Sequence, residues 1–272
     1  YFKNKNEKLL IINSFNKLYK FFRQTNHKKN IFHIHGIWSL IQISFIVICS
    51  LRKIRVFIHP HGMLLPEALN SESSVKNILK IIILKIFKVI LRENTNFITV
   101  TNYETKQVKK FFPKLQITKI NNPIPFNIKK KILKKRKLKK KIVYFGRIHP
   151  HKNIELMINS FLNAKLDKSW SLEIFGLVDN QRYLNKIKSL IKRNKNVFLK
   201  KPIFDNKKNY VMQTAWLNLL FSKSEVLSLS ILEASANGLP TLITNNLNFE
   251  INKNSIIKSN PKVDILSNSI KK

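Results

Sequence analysis

The chain has 272 residues, with 51 Lys and Arg against 14 Asp and Glu, a formal net charge of +37 and a hydrophobic fraction of 44%. That hydrophobic share, with only five glycines and nine prolines, excludes a globally disordered chain and leaves room for one large domain or two small ones. The single cysteine, Cys49, excludes an intrachain disulfide, which suits a reducing compartment; in its apolar run it reads as a small buried hydrophobe.

In chain order, residues 1–30 read as helical and rich in Lys and Asn. Residues 30–36 (NIFHIHG) read as a strand, followed by an apolar helix from about Trp38 to Ser50. The apolar run over residues 37–51 is shorter than the ~20 residues that span a bilayer, so it is expected in a core. Residues 54–62 (IRVFIHPHG) form the next strand, stopped by Pro60 and Gly62. A long helix over residues 73–93 carries Lys76, Lys80, Lys85 and Lys88 among Ile and Leu. Strand (TNFITVT), helix (YETKQVKKFF) and strand (LQITKINNP) follow.

Residues 124–141 are strongly basic, contain no acid and read as a linker. The alternation then restarts. Strands end at Gly146 and Gly176, helices cover NIELMINSFLNA and NQRYLNKIKSLIKR, and a strand (NVFLKK) and a short helix (NKKNYVMQT) come next. A buried strand (AWLNLLFS), a helix closed by Gly238 and a strand (PTLIT) complete the pattern. Strands alternating with helices predict parallel sheets. The expected organisation is two facing Rossmann-like domains, each a parallel sheet flanked by helices: residues 1–125, a basic linker at 126–140, and residues 141–272. In such folds ligands bind beyond the carboxyl ends of the strands.

Two stretches carry chemistry. In YFGRIHPHK a strand ends at Gly146, Arg147 follows at once, and Lys152 stands where the next helix begins. Two cations beside a helix N-terminus suit a diphosphate; in so basic a chain they also read as two surface cations. Neither GxGxxG nor GxxxxGK[ST] occurs here, which excludes a dinucleotide fingerprint and a P-loop. In SEVLSLSILEASANGLP, Glu225 falls in the loop after a strand, Ser228 or Ser230 is placed to cap a helix, and Glu233 lies about one turn into it. Free N–H groups at the helix start favour phosphate, and a carboxylate on each side can accept bonds from sugar hydroxyls. A phosphate flanked by two sugars describes a nucleotide sugar. Taken singly, Glu225 also fits an exposed loop acid and Glu233 a solvent-facing helix acid.

In combination these stretches resemble the retaining glycosyltransferases of the group 1 family (family 4), which have the GT-B fold. Their donor-site signature of two glutamates eight positions apart, then Ala-x-x-x-Gly-x-Pro, is similar to Glu225, Glu233, Ala234, Gly238 and Pro240. GRIHPHKN resembles their Gly-Arg-x-x-x-x-Lys-Asn; FHIHGIWS and HPHGMLLPEALN resemble first-domain segments of members that build surface polysaccharides; INNPIP resembles an inter-domain strand end. The resemblance runs from about Phe32 to Glu250. Where the family often carries Glu-Gly-Phe-Gly, this chain has Glu225-Val226-Leu227-Ser228.

The resemblance implies a hexosyltransferase of bacterial type acting with retention. Arg147 and Lys152, after Gly146, would hold the donor diphosphate. Glu233 would bind the ribose, and Glu225 the transferred sugar. N–H groups near Leu227, Ser228 and Leu229 would cradle phosphate and sugar, and His61 would reach the donor sugar from the first domain. Glu225 and His61 are the expected catalytic residues. No cofactor and no metal are expected; the donor is a UDP-, GDP- or ADP-linked sugar. The acceptor would be a glycan or lipid-linked glycan in polysaccharide or lipopolysaccharide synthesis, placing the protein in the cytoplasm and at the inner face of the cytoplasmic membrane. A Tyr at position 1, no counterpart of the family's first strand before Phe32, and an end soon after Pro261 imply a piece of a longer protein.

The charge bears on partners. Lys, Asn and Ile rise together in A/T-rich coding sequence, and the lysines are spread along nearly every segment. That spread argues against a dedicated nucleic-acid patch. Attraction to an anionic membrane surface stays open, because the helix at residues 73–93 could lie on one with its lysines snorkelling. The alternative from another class is a non-catalytic basic binding protein for anionic membrane or nucleic acid. Three His-x-His pairs, His33/His35, His59/His61 and His149/His151, could each grip a metal from one strand face. With no cysteine cluster and few acids nearby, satisfied histidines and a sugar contact by His61 are the preferred readings.

Overall fold

The computed structural model describes residues 14–24, 30–70, 74–122, 138–192, 194–247 and 255–272. The chain divides into two compact units, Tyr1–Ile120 and Asn121–Lys272. Most of the basic segment and the Pro-Ile-Pro of INNPIP lie outside the described residues, as do residues 1–13 and 25–29 of the expected N-terminal helical stretch.

The first unit begins with α1 (Phe15–Gln24), which buries Leu18 and Phe22. Then come β1 (Ile31–His35), α2 (Leu40–Leu51), β2 (Arg55–His59), the single turn α3 (Pro66–Leu69), α4 (Ser74–Ile90), β3 (Thr95–Thr99), α5 (Asn102–Phe111) and β4 (Gln116–Lys119). The four strands are parallel in the order β1-β2-β3-β4. α2 starts at Leu40, two residues later than Trp38, because Ser39 and Gln42 form a capping box that satisfies N–H groups at its start. Cys49 is fully buried in α2, and burial pushes its thiol up to about 12, so it behaves as a hydrophobe.

The second unit contains β5 (Lys141–Phe145), a 3-10 turn (Pro150–Lys152), α6 (Ile154–Asn163), β6 (Ser171–Phe175), α7 (Gln181–Ile191), β7 (Val197–Lys200), α8 (Asp205–Thr214), β8 (Leu217–Leu220), α9 (Leu229–Ala236), β9 (Thr241–Thr244), β10 (Ile256–Ser259) and α10 (Val263–Lys271). Its parallel sheet runs β10-β9-β8-β5-β6-β7, the order in which winding reverses between the adjacent strands β5 and β8. The central strands are covered on both faces: residues 142–145 and all of β8 and β9 are buried. Both units are thus parallel sheets flanked by helices, as expected. β10 and α10 are additions to the expected elements; α10 packs on α6, where Ser267 Oγ donates to the Ser160 carbonyl at 2.9 Å.

Candidate functional site

The reversal of winding between β5 and β8 leaves a crevice beyond their carboxyl ends, the place where open α/β sheets bind ligands. A cavity of about 390 Å³ occupies it. β5 delivers Gly146 and Arg147 to its floor. Gly146 is required there because any Cβ would overlap the Tyr144 hydroxyl, which donates to the Arg147 carbonyl at 3.0 Å. Gly176 is required because a Cβ would overlap the Gly146 carbonyl oxygen. The two glycines let the ends of β5 and β6 close together beneath the cavity.

The opposite wall is the loop and helix after β8. Ser228 is the N-cap residue of α9, but its side chain does not cap the helix, contrary to expectation; its Oγ pairs with Ser230 Oγ at 2.9 Å. The first N–H groups of a helix have no partner inside it, so this turn is left open to an acceptor of hydrogen bonds. Leu227, Ser228 and Leu229 line the cavity beside it. The helix ends where Asn-Gly-Leu-Pro directs. Gly238 takes a left-handed φ of 70°, its N–H bonds Ser235 O, and Leu239 N–H bonds Ala234 O, which is a Schellman stop.

Four charged side chains from the two motifs meet around this space, each already paired. Lys152 donates to Glu225 Oε1, and Ser222 Oγ donates to the same oxygen at 2.8 Å. Lys208, from α8, donates to Glu233 Oε2 at 2.5 Å and lies 5.5 Å from the Phe145 ring centre. Arg147 donates to Asp179 Oδ2 at 2.6 Å on the open side. The apolar remainder includes Phe145 and Phe175, stacked with centroids 5.1 Å apart, with Leu177, Ile203 and Phe204.

The loop that carries Glu225 is pinned at two points. His151 Nε2 donates to the Ser224 carbonyl at 2.8 Å, and Asn246 Nδ2 donates to the carbonyls of Ser222 and Lys223 at 3.1 and 2.7 Å. Burial, with the Lys152 ammonium adding to it, holds the His151 pKa below the ordinary histidine value despite the bond to Ser224.

Gly146, Arg147, Lys152, Glu225, Leu227, Ser228, Leu229 and Glu233, the second-unit residues expected to bind the donor, therefore line one cavity. His61 lies in the first unit. There it follows Pro60 with a left-handed φ of 48°, and Gly62 after it has φ 80°. The buried Glu104 carboxylate holds this turn: Oε1 accepts from Gly62 N–H at 2.6 Å and Oε2 from Val100 N–H at 2.8 Å. Lys208, Asp179 and Ser222 were not singled out, and His151 was named only as half of a His-x-His pair. Lys208 is one of 51 Lys and Arg, and nothing in its neighbourhood in the sequence sets it apart.

The family of group 1 glycosyl transferases matches residues 125–264. No curated protein matches the chain. Among solved structures it is similar to sucrose-phosphate synthase from Thermosynechococcus elongatus, with 16% identity, TM-score 0.70, and coverage of 94% of this chain and 67% of that one. It is similar to TarM of S. aureus, with 20% identity, TM-score 0.67, and coverage of 93% of this chain and 49% of that one. It is also similar to Anabaena Alr3699/HepE in complex with UDP and glucose, with 17% identity, TM-score 0.66, and coverage of 88% and 67%. The chain thus spans about half the length of TarM and two thirds of the other two. At these identities the likeness shows the fold, that of the GT-B glycosyltransferases.

Proposed function

We propose that this chain, which belongs to the group 1 glycosyl transferases, moves a hexosyl group from a nucleoside-diphosphate sugar to a hydroxyl of a glycan or lipid-linked acceptor, with retention of configuration. The observation that carries this reading is the convergence of Arg147, Lys152, Glu225 and Glu233 with the α9 N-terminus on one cavity at the switch point of the sheet. The diphosphate lies against the α9 N–H groups near Ser228 and Leu229, where the helix dipole favours negative charge. Arg147 exchanges Asp179, and Lys152 exchanges Glu225, for phosphate oxygens. Glu233, freed from Lys208, accepts from the ribose hydroxyls, while Glu225 turns to the transferred sugar. The Phe145 side of the cavity takes the base.

As the glycosidic bond breaks, charge develops on the leaving phosphate. The two cations, once exchanged onto the phosphate, and the helix terminus stabilise it. In this reading they supply the positive charge that a divalent ion would otherwise bring, so transfer persists in chelator. His61 contributes from the first unit by contacting the donor sugar. The neighbour solved with UDP supports uridine as the first base to test, before GDP- and ADP-linked donors.

The acceptor class follows the resemblance of the first-unit motifs to enzymes of surface polysaccharide and lipopolysaccharide synthesis. A place at the cytoplasmic membrane face is supported by α4, which exposes Ile78, Leu79, Ile82, Ile86 and Val89 beside Lys85 and Lys88. Among the described residues no helix is long and apolar enough to cross a membrane, so this contact is peripheral.

The test is incubation with a panel of nucleotide sugars, reading nucleoside-diphosphate release and the anomeric configuration of the product by NMR. Release from one donor with retained configuration is expected. Inverted product would overturn the mechanism, and inertness towards every donor that the chain binds would overturn the assigned activity.

A further inference from the structure

The first unit contains a histidine cluster of which the function proposed above uses only His61. Register aligns His35 of β1 with His59 of β2, and His33 with Phe57, so His33, His35 and His59 share one face at the carboxyl end of the sheet. His61 joins them from the following turn. Two of the three His-x-His pairs in the sequence lie in this unit, and the fold merges them across strands. His35 and His59 stack with centroids 4.3 Å apart, and His35 Nδ1 lies 2.8 Å from His61 Nε2. One ring nitrogen each of His35, His59 and His61 falls within 4.8 Å of the other two.

Stacking of rings does not require their nitrogens to converge, and the neighbours that shift these imidazoles include no carboxylate that would hold them as cations. Burial is the first cause of the lowered pKa of all three, with His59 at about 4, and mutual repulsion adds to it for His35 and His59. The neutral imidazole is the ligating form. A tetrahedral ion with bonds of about 2.0–2.1 Å places its ligand nitrogens roughly 3.3–3.4 Å apart. The His35–His61 pair stands at 2.8 Å, and one nitrogen from each of the three lies within 4.8 Å of the others. His33 Nδ1 stands 3.0 Å from His59 Nε2. The Glu104 clamp on Gly62 fixes the left-handed turn that aims His61 into the group, at a backbone conformation that costs energy for a non-glycine residue.

We propose that His35, His59 and His61 form a site for a transition-metal dication of the zinc class, open to solvent at its remaining position. It belongs to the first unit and goes beyond the function proposed above. One consequence alone rests on that reading: an ion here takes the nitrogen that His61 would offer to the donor sugar, so the metal inhibits transfer.

The test is binding without donor present. Untagged chain stripped with chelator is titrated with Co2+, read by visible absorption, and Zn2+ is then added to displace it. Expected are the bands of tetrahedral Co2+ at one ion per chain and their loss to Zn2+. His35→Ala, His59→Ala and His61→Asn should each weaken binding at least about tenfold, since even outer partners of metal ligands cost that much. Asn is chosen at 61 because it tolerates the left-handed backbone, and His35 is solvent-exposed, so both variants keep the fold testable by circular dichroism. His149→Ala in the second unit should bind as the parent does. Absence of the bands, or parental affinity in folded His35→Ala, would overturn the site. Because no nucleotide enters the experiment, a wrong donor assignment leaves its outcome unchanged.

Discussion

Lys152 Nζ donates to Glu225 Oε1 across the candidate donor cavity, and the two side chains are only 16% and 13% exposed. Each charge is largely removed from water and compensated by the other. Removing one partner should therefore cost more than removing both. Lys152→Met is expected to destabilise the fold by about 2–3 kcal/mol, toward the low end for a buried pair because some solvent remains. Lys152→Met combined with Glu225→Gln should recover part of that loss. Urea unfolding of the parent, both single variants and the double variant checks it as a cycle.

Arg147 should behave differently. Its side chain is 62% exposed and its partner Asp179 41%, so the pair contributes no more than about 1 kcal/mol to stability. Arg147→Ala should leave the unfolding midpoint nearly unchanged and weaken binding of a nucleoside diphosphate by about tenfold or more, as loss of a hydrogen bond to a charged group does. Affinity for the bare nucleoside should not change. Calorimetric titrations with UDP and with uridine separate the two effects.

Acid should loosen the loop that carries Glu225. The folded-state pKa of His151 lies below its unfolded value, so the unfolded chain takes up the proton first. Its stabilising contribution is present above about pH 6.5 and is lost as pH falls from there through the lower folded value. His151→Gln removes this titration. Thermal midpoints taken between about pH 7 and pH 5 should fall less steeply in the variant than in the parent. The lowered histidines of the first unit act with the same sign in both proteins and cancel in the comparison.

The exposed face of α4 gives a membrane prediction. Ile78 and Ile82 are 57% and 46% exposed beside basic residues. The parent should float with vesicles containing phosphatidylserine or phosphatidylglycerol and not with neutral ones. Ile78→Glu with Ile82→Glu should abolish flotation while leaving nucleotide affinity intact. Equal flotation of the variant would assign the attraction to diffuse charge alone.

Much of the second unit was legible because its strands are short apolar runs punctuated by Gly146, Gly176 and Pro240, and its helices carry clear stops such as Asn237-Gly238. The glutamate spacing was legible because Glu225 and Glu233 lie within one contiguous stretch of the chain. What stayed hidden depends on contacts between distant segments. Lys208 meets Glu233 from α8, and Asp179 meets Arg147 from the turn after β6; in a chain so rich in lysine neither partner stands out. The histidine pairs were visible within each strand, but their merger depends on the β1–β2 register. β10 lacks a strand pattern because its middle residues are exposed. Whether Ser228 or Ser230 caps α9 through its hydroxyl was not legible, because composition cannot tell whether the Ser228 hydroxyl turns to the backbone or to Ser230.

The central claim is that the cavity between the ends of β5 and β8 is a nucleotide-sugar donor site, and calorimetric titration with UDP, GDP and ADP at high salt tests it most directly. High salt suppresses the non-specific attraction of a chain with net charge +37. The account predicts saturable, one-site binding of one of the three nucleotides, UDP first, weakened about tenfold or more by Glu233→Ala through loss of a charged hydrogen-bond acceptor. Binding that is the same for all three and unaltered in folded Glu233→Ala, or no binding at all, would contradict it.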